Sequence, residues 1–212
     1  MNYAEFKNKT EKWPIIFSQD LMPHRGDKQI IRNQLERWRV RKLLIKLRRG
    51  AFLLNTTDRK GDPSRTYIAN QLYGPSYVSL EYALQFYGLI PERVNDLTSV
   101  TTRKTMRFTN EIGTFIYQHI KPKVFRAFKM LKDETGLVFF IAEPEKALID
   151  FFYLNLNKLQ TEDEKIFEES YRLQNLEVLK MKKVMEFAEF FDCDKLVRVS
   201  RSFCRFLKEV NR

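Results

Sequence analysis

Two cysteines, Cys193 and Cys204, are too few for a disulfide framework or a cysteine-built zinc site. They are expected to be reduced thiols in a cytosol. Two histidines, His24 and His119, leave little for an imidazole metal site. Seven glycines and seven prolines argue against collagen-like or low-complexity sequence. The longest apolar run, Leu137 to Ala142, is far short of the roughly 20 residues of a membrane span, so no membrane partner is expected. The opening MNYAEFKNKTEKW is polar and charged, and no signal peptide is expected. Nucleotide-binding and hydrolase signatures are missing as well: no P-loop, GxGxxG, HExxH or GxSxG occurs. The best acidic cluster is Glu143, Glu145 and Asp150 with Lys146. Glu145 and Asp150 are five apart and do not share a helix face well. Glu143 and Glu145 suit a helix N-terminus, so the cluster reads as structural. His119, on an alternating strand, reads as a surface or core residue rather than a base. No catalytic residue, metal ligand or cofactor is therefore assigned, and the chain is expected not to be an enzyme.

What the chain does have is bulk and positive charge. Hydrophobic residues make up 43% and aromatic residues 14%, enough for the core of one large domain or two small ones. Lys plus Arg number 38 against 27 Asp plus Glu, a net of +11. The excess is uneven. Residues 1–54 hold 13 basic and 5 acidic residues, a net of +8, and residues 55–212 hold 25 and 22, a net of +3. A local basic block on a folded domain is an electrostatic footprint of nucleic-acid binding. A soluble basic surface without a partner is the bland alternative.

Between these parts, NTTDRKGDPS at 55–64 is polar and lacks apolar periodicity, which predicts a linker or long loop. Residues 1–55 form the first predicted domain and 64–212 the second. In the first, a helix is expected over 2–12, an extended segment from Ile15 to Phe17, and a short helix from Gln19 to Met22 capped by Ser18. Pro23 to Gly26 should turn, and Asp27 to Arg41 should be a longer helix. Leu43–Leu47 and Ala51–Asn55 read as strands, with Arg48, Arg49 and Gly50 in the turn between them. That is the element order of a winged helix-turn-helix. Ile31, Leu35 and Trp38 fall on one face of the long helix. Gln29, Arg32, Asn33, Glu36 and Arg37 fall on the other. Arg can bond guanine with two hydrogen bonds, and Asn or Gln can bond adenine in the same way. Gln29, Arg32, Asn33 and Arg37 are therefore the candidates for base reading in double-stranded DNA. Lys28, Lys46, Arg48 and Arg49 are candidates for the sugar-phosphate backbone.

The second part predicts a mixed α/β domain, giving an α+β chain overall. Helices are expected from Ser64 or Arg65 to Leu72, after Ser79 as N-cap with Gly88 as stop, and after Pro144. Strands are expected over Thr98–Thr102, Thr105–Phe108, Thr114–Ile120 and Leu137–Ala142. The last 45 residues look helical, with Leu176, Leu179, Val184, Phe187 and Phe191 on one helix. Arg198, Arg201, Arg205 and Lys208 stripe the outer face of the final helix, an arrangement that ordinarily reflects solvation. Thr101, Thr102, Arg103, Lys104 and Thr105 make a compact polar, basic patch able to grip phosphate.

Four segments of this second part, YGPSYVSLEYALQFYGLIPE (73–92), TSVTTRK (98–104), GTFIYQHIKPKVF (113–125) and IAEPEKALIDFFYL (141–154), resemble the AbiEi family of type IV antitoxins in order and spacing. NQLERWRVRKLLIKLRRGAFLL (33–54) is similar to that family's recognition helix and wing. The resemblance implies a DNA-binding antitoxin that represses its own operon through promoter inverted repeats. It also implies a functional, indirect link to a nucleotidyltransferase-like toxin, neutralised without a stable complex, in bacterial phage defence by abortive infection. Two positions depart from the pattern. Ala51 and Phe52 stand where a small apolar residue followed by Tyr is expected. Lys42 stands where Gly is expected, so the helix either ends without a left-handed cap or places Lys42 in a strained one. The other readings are a solitary transcriptional regulator, and an RNA- or protein-interaction module with no toxin partner. An enzyme centred on Lys146 or Asp150 is a third.

Overall fold

The computed structural model describes residues 1–21, 28–159 and 164–210, and the side chain of Lys28 is not among the described groups. It is an α+β protein. The first helix, α1 (Tyr3–Thr10), starts where Asn2 and Glu5 close a reciprocal capping box, with the Glu5 amide donating to Asn2 Oδ1 at 2.9 Å. After the short strand β1 (Ile16–Phe17), residues 18–21 form a turn. The helix expected there is absent over 19–21: the Asp20 amide donates to Phe17 O at 3.0 Å in a tight turn, and the Ser18 amide donates to Gly50 O at 2.8 Å. Met22, the Pro23–Gly26 turn and Asp27 lie outside the described residues.

The long helix, α2 (Lys28–Val40), leads into the hairpin β2 (Leu44–Arg48) and β3 (Ala51–Leu54). Its C-terminus closes on Lys42, which takes φ +58°. The Lys42 amide donates to Arg39 O and the Leu43 amide to Trp38 O, both at 2.9 Å, the paired bonds of a Schellman closure. A lysine thus accepts the left-handed backbone that glycine takes without cost, at about 1–2 kcal/mol. The three strands form an antiparallel sheet in the order β1-β3-β2. Phe6, Ile16, Leu35, Trp38, Leu44 and Phe52 pack beneath α2, with the Phe6 and Trp38 rings 4.5 Å apart. Phe52 lies inside this apolar cluster, which explains why a ring without a hydroxyl fits there.

The hairpin's other face does not meet solvent. Ile15, Leu47, Ala51 and Leu53 belong to the main core of the second unit, so β3 is buried on both sides. The segment 55–64 lacks helix and strand but is strapped down rather than free. Asp58 accepts from the Tyr3 hydroxyl at 2.7 Å and pairs with Lys7 at 2.6 Å, and Lys60 pairs with Glu11 at 2.6 Å. Its polar composition serves ion pairing to α1.

The second unit is a six-stranded mixed sheet, in the order β6-β7-β5-β4-β9-β8. Its strands are β4 (Ser76–Val78), β5 (Leu97–Thr101), β6 (Met106–Asn110), β7 (Gly113–His119), β8 (Phe128–Lys132) and β9 (Val138–Ala142). β4–β9 and β5–β7 are parallel pairs, and the others are antiparallel. Helix α3 (Arg65–Leu72) covers one face, where the Tyr117 hydroxyl donates to Ala69 O at 2.7 Å. Tyr117 registers with Ser99, and Ser99 with Val78. Tyr77, one residue earlier, therefore points to the opposite face. There it meets α5 (Pro144–Leu154), with α4 (Leu80–Phe86), α6 (Met181–Glu189) and α7 (Asp194–Val210) packed around it. Strands β4 and β8 are additions to the sequence reading. Three-residue β4 is too short to show alternation. The expected helix through Leu176 and Leu179 is corrected to a single tight turn, Leu176–Val178, before α6. Asn175 at φ +51° opens that turn and breaks the helical register.

Residues 145–152 of α5 are buried all round. Within them Lys146 and Asp150, 1% and 0% exposed, form an i,i+4 ion pair. Asp150 Oδ2 also accepts from the Tyr77 hydroxyl at 3.0 Å and from Ser79 Oγ at 2.9 Å. Ser79 stands in the N-cap position of α4 but gives its hydroxyl to Asp150 instead of the helix. The Lys146 ammonium lies 4.9 Å from the Phe191 ring centroid and 5.5 Å from that of Tyr77. Burial pulls the Lys146 ammonium below its ordinary value, and Asp150 opposes that pull. Glu145 faces elsewhere and accepts the Lys180 amide at 3.1 Å. Lys146→Met should cost about 3–5 kcal/mol of unfolding free energy in urea, because Asp150 stays buried without its cation. A loss under about 1 kcal/mol in a two-state transition would show that neutral donors alone hold Asp150.

Candidate nucleic-acid interface

Helix α2 buries Leu35 and Trp38 and turns a polar face outward. Gln29, Arg32, Asn33 and Arg37 are exposed on that face. Gln29 Nε2 donates to Asn33 Oδ1 at 2.8 Å, so one turn of helix presents a linked pair of amides. The Arg32 and Arg37 side chains form no hydrogen bond or ion pair with other described residues. Lys28 opens the helix at the backbone level, and its side chain lies outside the described groups.

Between α2 and the hairpin runs an open groove of about 770 Å³. Arg32, Asn33 and Glu36 line it from α2, Lys46 and Arg49 from the hairpin, and Gln71 from α3. Gly50, at φ +79°, lets the β2–β3 turn come tight against the 18–21 turn; a Cβ there would lie 3.1 Å from Ser18 Oγ.

The cations differ in how free they are. Arg49 is exposed at the turn, with no side-chain partner among the described residues. Lys46 is exposed but pairs with Glu36 at 3.7 Å. Glu36 also accepts from Arg39 Nε at 2.8 Å, and these cations hold its carboxyl below the usual range, the Arg39 hydrogen bond most of all. Arg48 departs from the sequence reading in position, and it lines the same groove. It lies on β2, not in the turn, and donates from Nε to Leu72 O at 2.7 Å and from Nη1 to Arg49 O at 3.0 Å. Leu72 is the last residue of α3, so the Arg48 guanidinium caps a helix C-terminus, where a cation suits the dipole.

Ile30 and Val40 were not singled out from sequence, yet they are 61% and 68% exposed. At about 100° per residue Val40 falls within the arc of Gln29, Asn33 and Arg37 and Ile30 about 20° beyond it, so the helical wheel held this signal. Gln71 was missed because only the tertiary fold brings it to the groove.

Elsewhere the candidate groups are dispersed. Lys146 and Asp150 are sealed in the core. Arg198, Arg201 and Lys208 are exposed on α7, and Arg205 pairs with Glu164 at 2.9 Å. Cys193 and Cys204 are free thiols. No cluster of three or more metal-ligating side chains occurs among the described residues, nor a helix long and apolar enough to cross a membrane. No protein-family model matches the chain, and no curated protein is similar to it.

The different positions of Arg48 and Arg49 separate stability from surface charge. Arg48→Ala should lower unfolding free energy by about 1–3 kcal/mol, since the Leu72 carbonyl loses a charged donor. Arg49→Ala should stay within about 0.5 kcal/mol of the parent in the same denaturant titration. Equal effects would remove the distinction drawn here.

Proposed function

We propose that the N-terminal unit is a winged helix-turn-helix that binds double-stranded DNA, with α2 as recognition helix and the β2–β3 hairpin as wing. The observation that carries this reading is the outer face of α2. A linked Gln29–Asn33 amide pair and the unpartnered Arg32 and Arg37 stand beside a groove whose far wall bears Lys46 and Arg49. The order of α2 before the β2–β3 hairpin and the pairing of β1 with β3 support the recognition helix and wing, while the short helix expected before α2 is absent over 19–21. A major groove about 12 Å wide admits such a helix, and its base edges offer partners for these side-chain types. Gln29, Arg32, Asn33 and Arg37 would read bases, and Lys28, Lys46 and Arg49 would hold phosphates. Arg48 would support the wing through its two carbonyl bonds, and its remaining N–H donors, on a residue that lines the same groove, would also be open to phosphate.

The resemblance to AbiEi antitoxins supplies the biological half of the proposal. The chain would be a cytoplasmic, DNA-binding autorepressor that binds inverted repeats in its own promoter and counters a nucleotidyltransferase-like toxin without a stable complex. In this reading it is a regulator and not an enzyme.

A salt-titrated binding assay on the gene's upstream DNA and on scrambled DNA of equal length tests the proposal. A preference of about 10³-fold or more is expected for a sequence-specific regulator. Equal binding with a steep salt slope would reduce the unit to a basic surface. Arg32→Ala with Arg37→Ala should cost about 2–6 kcal/mol on the upstream fragment, at about 1–3 per base contact. Unchanged affinity in a folded double variant would remove α2 from base reading.

Glu36 carries the opposite expectation, because it ties up Lys46. Glu36→Gln should strengthen binding to every duplex and steepen the slope of log K against log salt by about 0.9, the value of one more phosphate contact. A loss confined to one operator position would instead assign Glu36 to a cytosine amino group.

A further inference from the structure

We propose that the turn between β5 and β6, with Tyr73 beneath it, is a second phosphate-binding site, and that it carries the DNA interface past the wing onto the second unit. This rests on the duplex-binding reading above. Thr102, Arg103, Lys104, Met106, His119 and Tyr73 line an open depression of about 560 Å³, with no carboxylate among them.

Arg103 is held in place before any ligand arrives. Its guanidinium carbon stacks 4.5 Å from the Tyr73 ring centroid, and Nη1 donates to Gly74 O at 3.3 Å. On the backbone side, His119 Nδ1 meets Arg103 O at 2.9 Å, and the Tyr73 hydroxyl donates to Lys104 O at 3.1 Å. A guanidinium has five N–H donors, and one is used here. The others remain for an acceptor with several oxygens, the chemistry of a phosphate diester. Lys104 is exposed beside it, and its ammonium has no partner among the described residues. Thr101 is excluded from the site: it is buried and its hydroxyl donates to Pro75 O at 2.7 Å.

Position makes the occupant a continuation of the same duplex. Arg48, from the wing, grips the Leu72 carbonyl, and Arg103 grips the Gly74 carbonyl. Two residues of chain span at most about 7 Å. The two gripped carbonyls therefore lie within about two base-pair steps of a DNA strand, at about 3.4 Å each. Gln71, just before, already lines the α2–wing groove. The Tyr117 ring, 5.3 Å from that of Tyr73, connects the same points: burial pushes its phenol up and the nearby Arg48 cation pulls it back. The two basic sites are also fixed to each other. Asn110 Nδ2 donates to Leu47 O at 2.9 Å, and Leu47, Ala51 and Leu53 sit in the second unit's core. The track from Arg49 past Gln71 to Arg103 and Lys104 is thus rigid, and a rigid track suits the regular phosphate spacing of a duplex better than a flexible single strand.

The test uses the full chain with Arg103→Ala plus Lys104→Ala, and Lys104→Gln alone as a variant that leaves the Tyr73 stack intact. Each is titrated with salt on the upstream duplex, the scrambled duplex and a single-stranded RNA of equal length, with thermal melting as the fold control. The double variant should lose affinity by the same factor on both duplexes and flatten the salt slope by about 1–2, and Lys104→Gln should flatten it by about 0.9. The preference for upstream over scrambled DNA should stay unchanged. If the parent protein prefers the upstream duplex and neither variant changes the slope, this site falls and the winged-helix reading stands. If the parent binds neither duplex, both fall. If the variants lose RNA binding and keep duplex binding, the patch belongs to RNA and the proposal is overturned.

Discussion

Strand β3 has no solvent face. Phe52 and Leu54 point into the small core under α2, and Ala51 and Leu53 point into the large core of the second unit. A two-stranded hairpin is marginal by itself in water, and this one is held because both of its sides exclude water. Every other feature of the N-terminal unit inherits its position from that double burial. β1 pairs only with β3, α2 packs on the face of Phe52, and the Arg49 turn is the hairpin's free end. The two units therefore cannot hinge about segment 55–64 without opening a hydrophobic interface, whatever that segment's composition suggests.

Polar groups serve this constraint where they are buried. Asp150 gathers Lys146, Tyr77 and Ser79, and so ties α5 to β4 and to the start of α4 at one carboxylate. Desolvation of such a pair is expensive, and the added hydrogen bonds are what make the arrangement tolerable. Its gain is geometric. Leu80 takes φ +60° directly after Ser79, a conformation an unconstrained leucine avoids. The Ser79 hydroxyl fixed to Asp150 sets the chain direction into α4 at that point. The carboxylate on which the enzyme reading centred holds three elements together.

Much of the architecture was legible because local signals were strong. The apolar spacing of Ile31, Leu35 and Trp38 marked the buried side of α2, the Arg49–Gly50 pair marked the hairpin, and Pro144 marked the first turn of α5, where its missing amide costs nothing. What failed to show was settled by distant contacts. Ser18 looked like a helix cap, but it stands in a tight turn that its amide ties to Gly50 across the sheet. Lys42 could end its helix in two ways, and the Schellman bonds to Trp38 and Arg39 selected the left-handed one. The 55–64 segment reads as a linker in any window of sequence, since its partners Tyr3, Lys7 and Glu11 lie about fifty residues away. Within the candidate interface, residue type identified the polar face of α2. It could not distinguish Arg48, which caps a helix, from Arg49, which faces solvent one residue later.

That last difference changes how the charge should be counted. A net of +8 over residues 1–54 suggests a broad cationic surface. Glu36 is already counted in that net, so the structure does not change the total but decides which cations are free. Lys7 is spent on Asp58, Arg39 and Lys46 share Glu36, and Arg48 is turned inward onto carbonyls. Each such pairing weakens the long-range pull on an anionic partner, because a neutralised pair releases few counterions. Of the exposed cations without a side-chain partner among the described residues, Arg32 and Arg49 line the groove and Arg37 lies on the same outer face of α2, whereas Lys9, Lys12, Arg41 and Lys42 lie outside its lining. On the proposed reading, a groove with few free charges at fixed positions gives up some nonspecific affinity and keeps orientation, as a site selecting one stretch of duplex would.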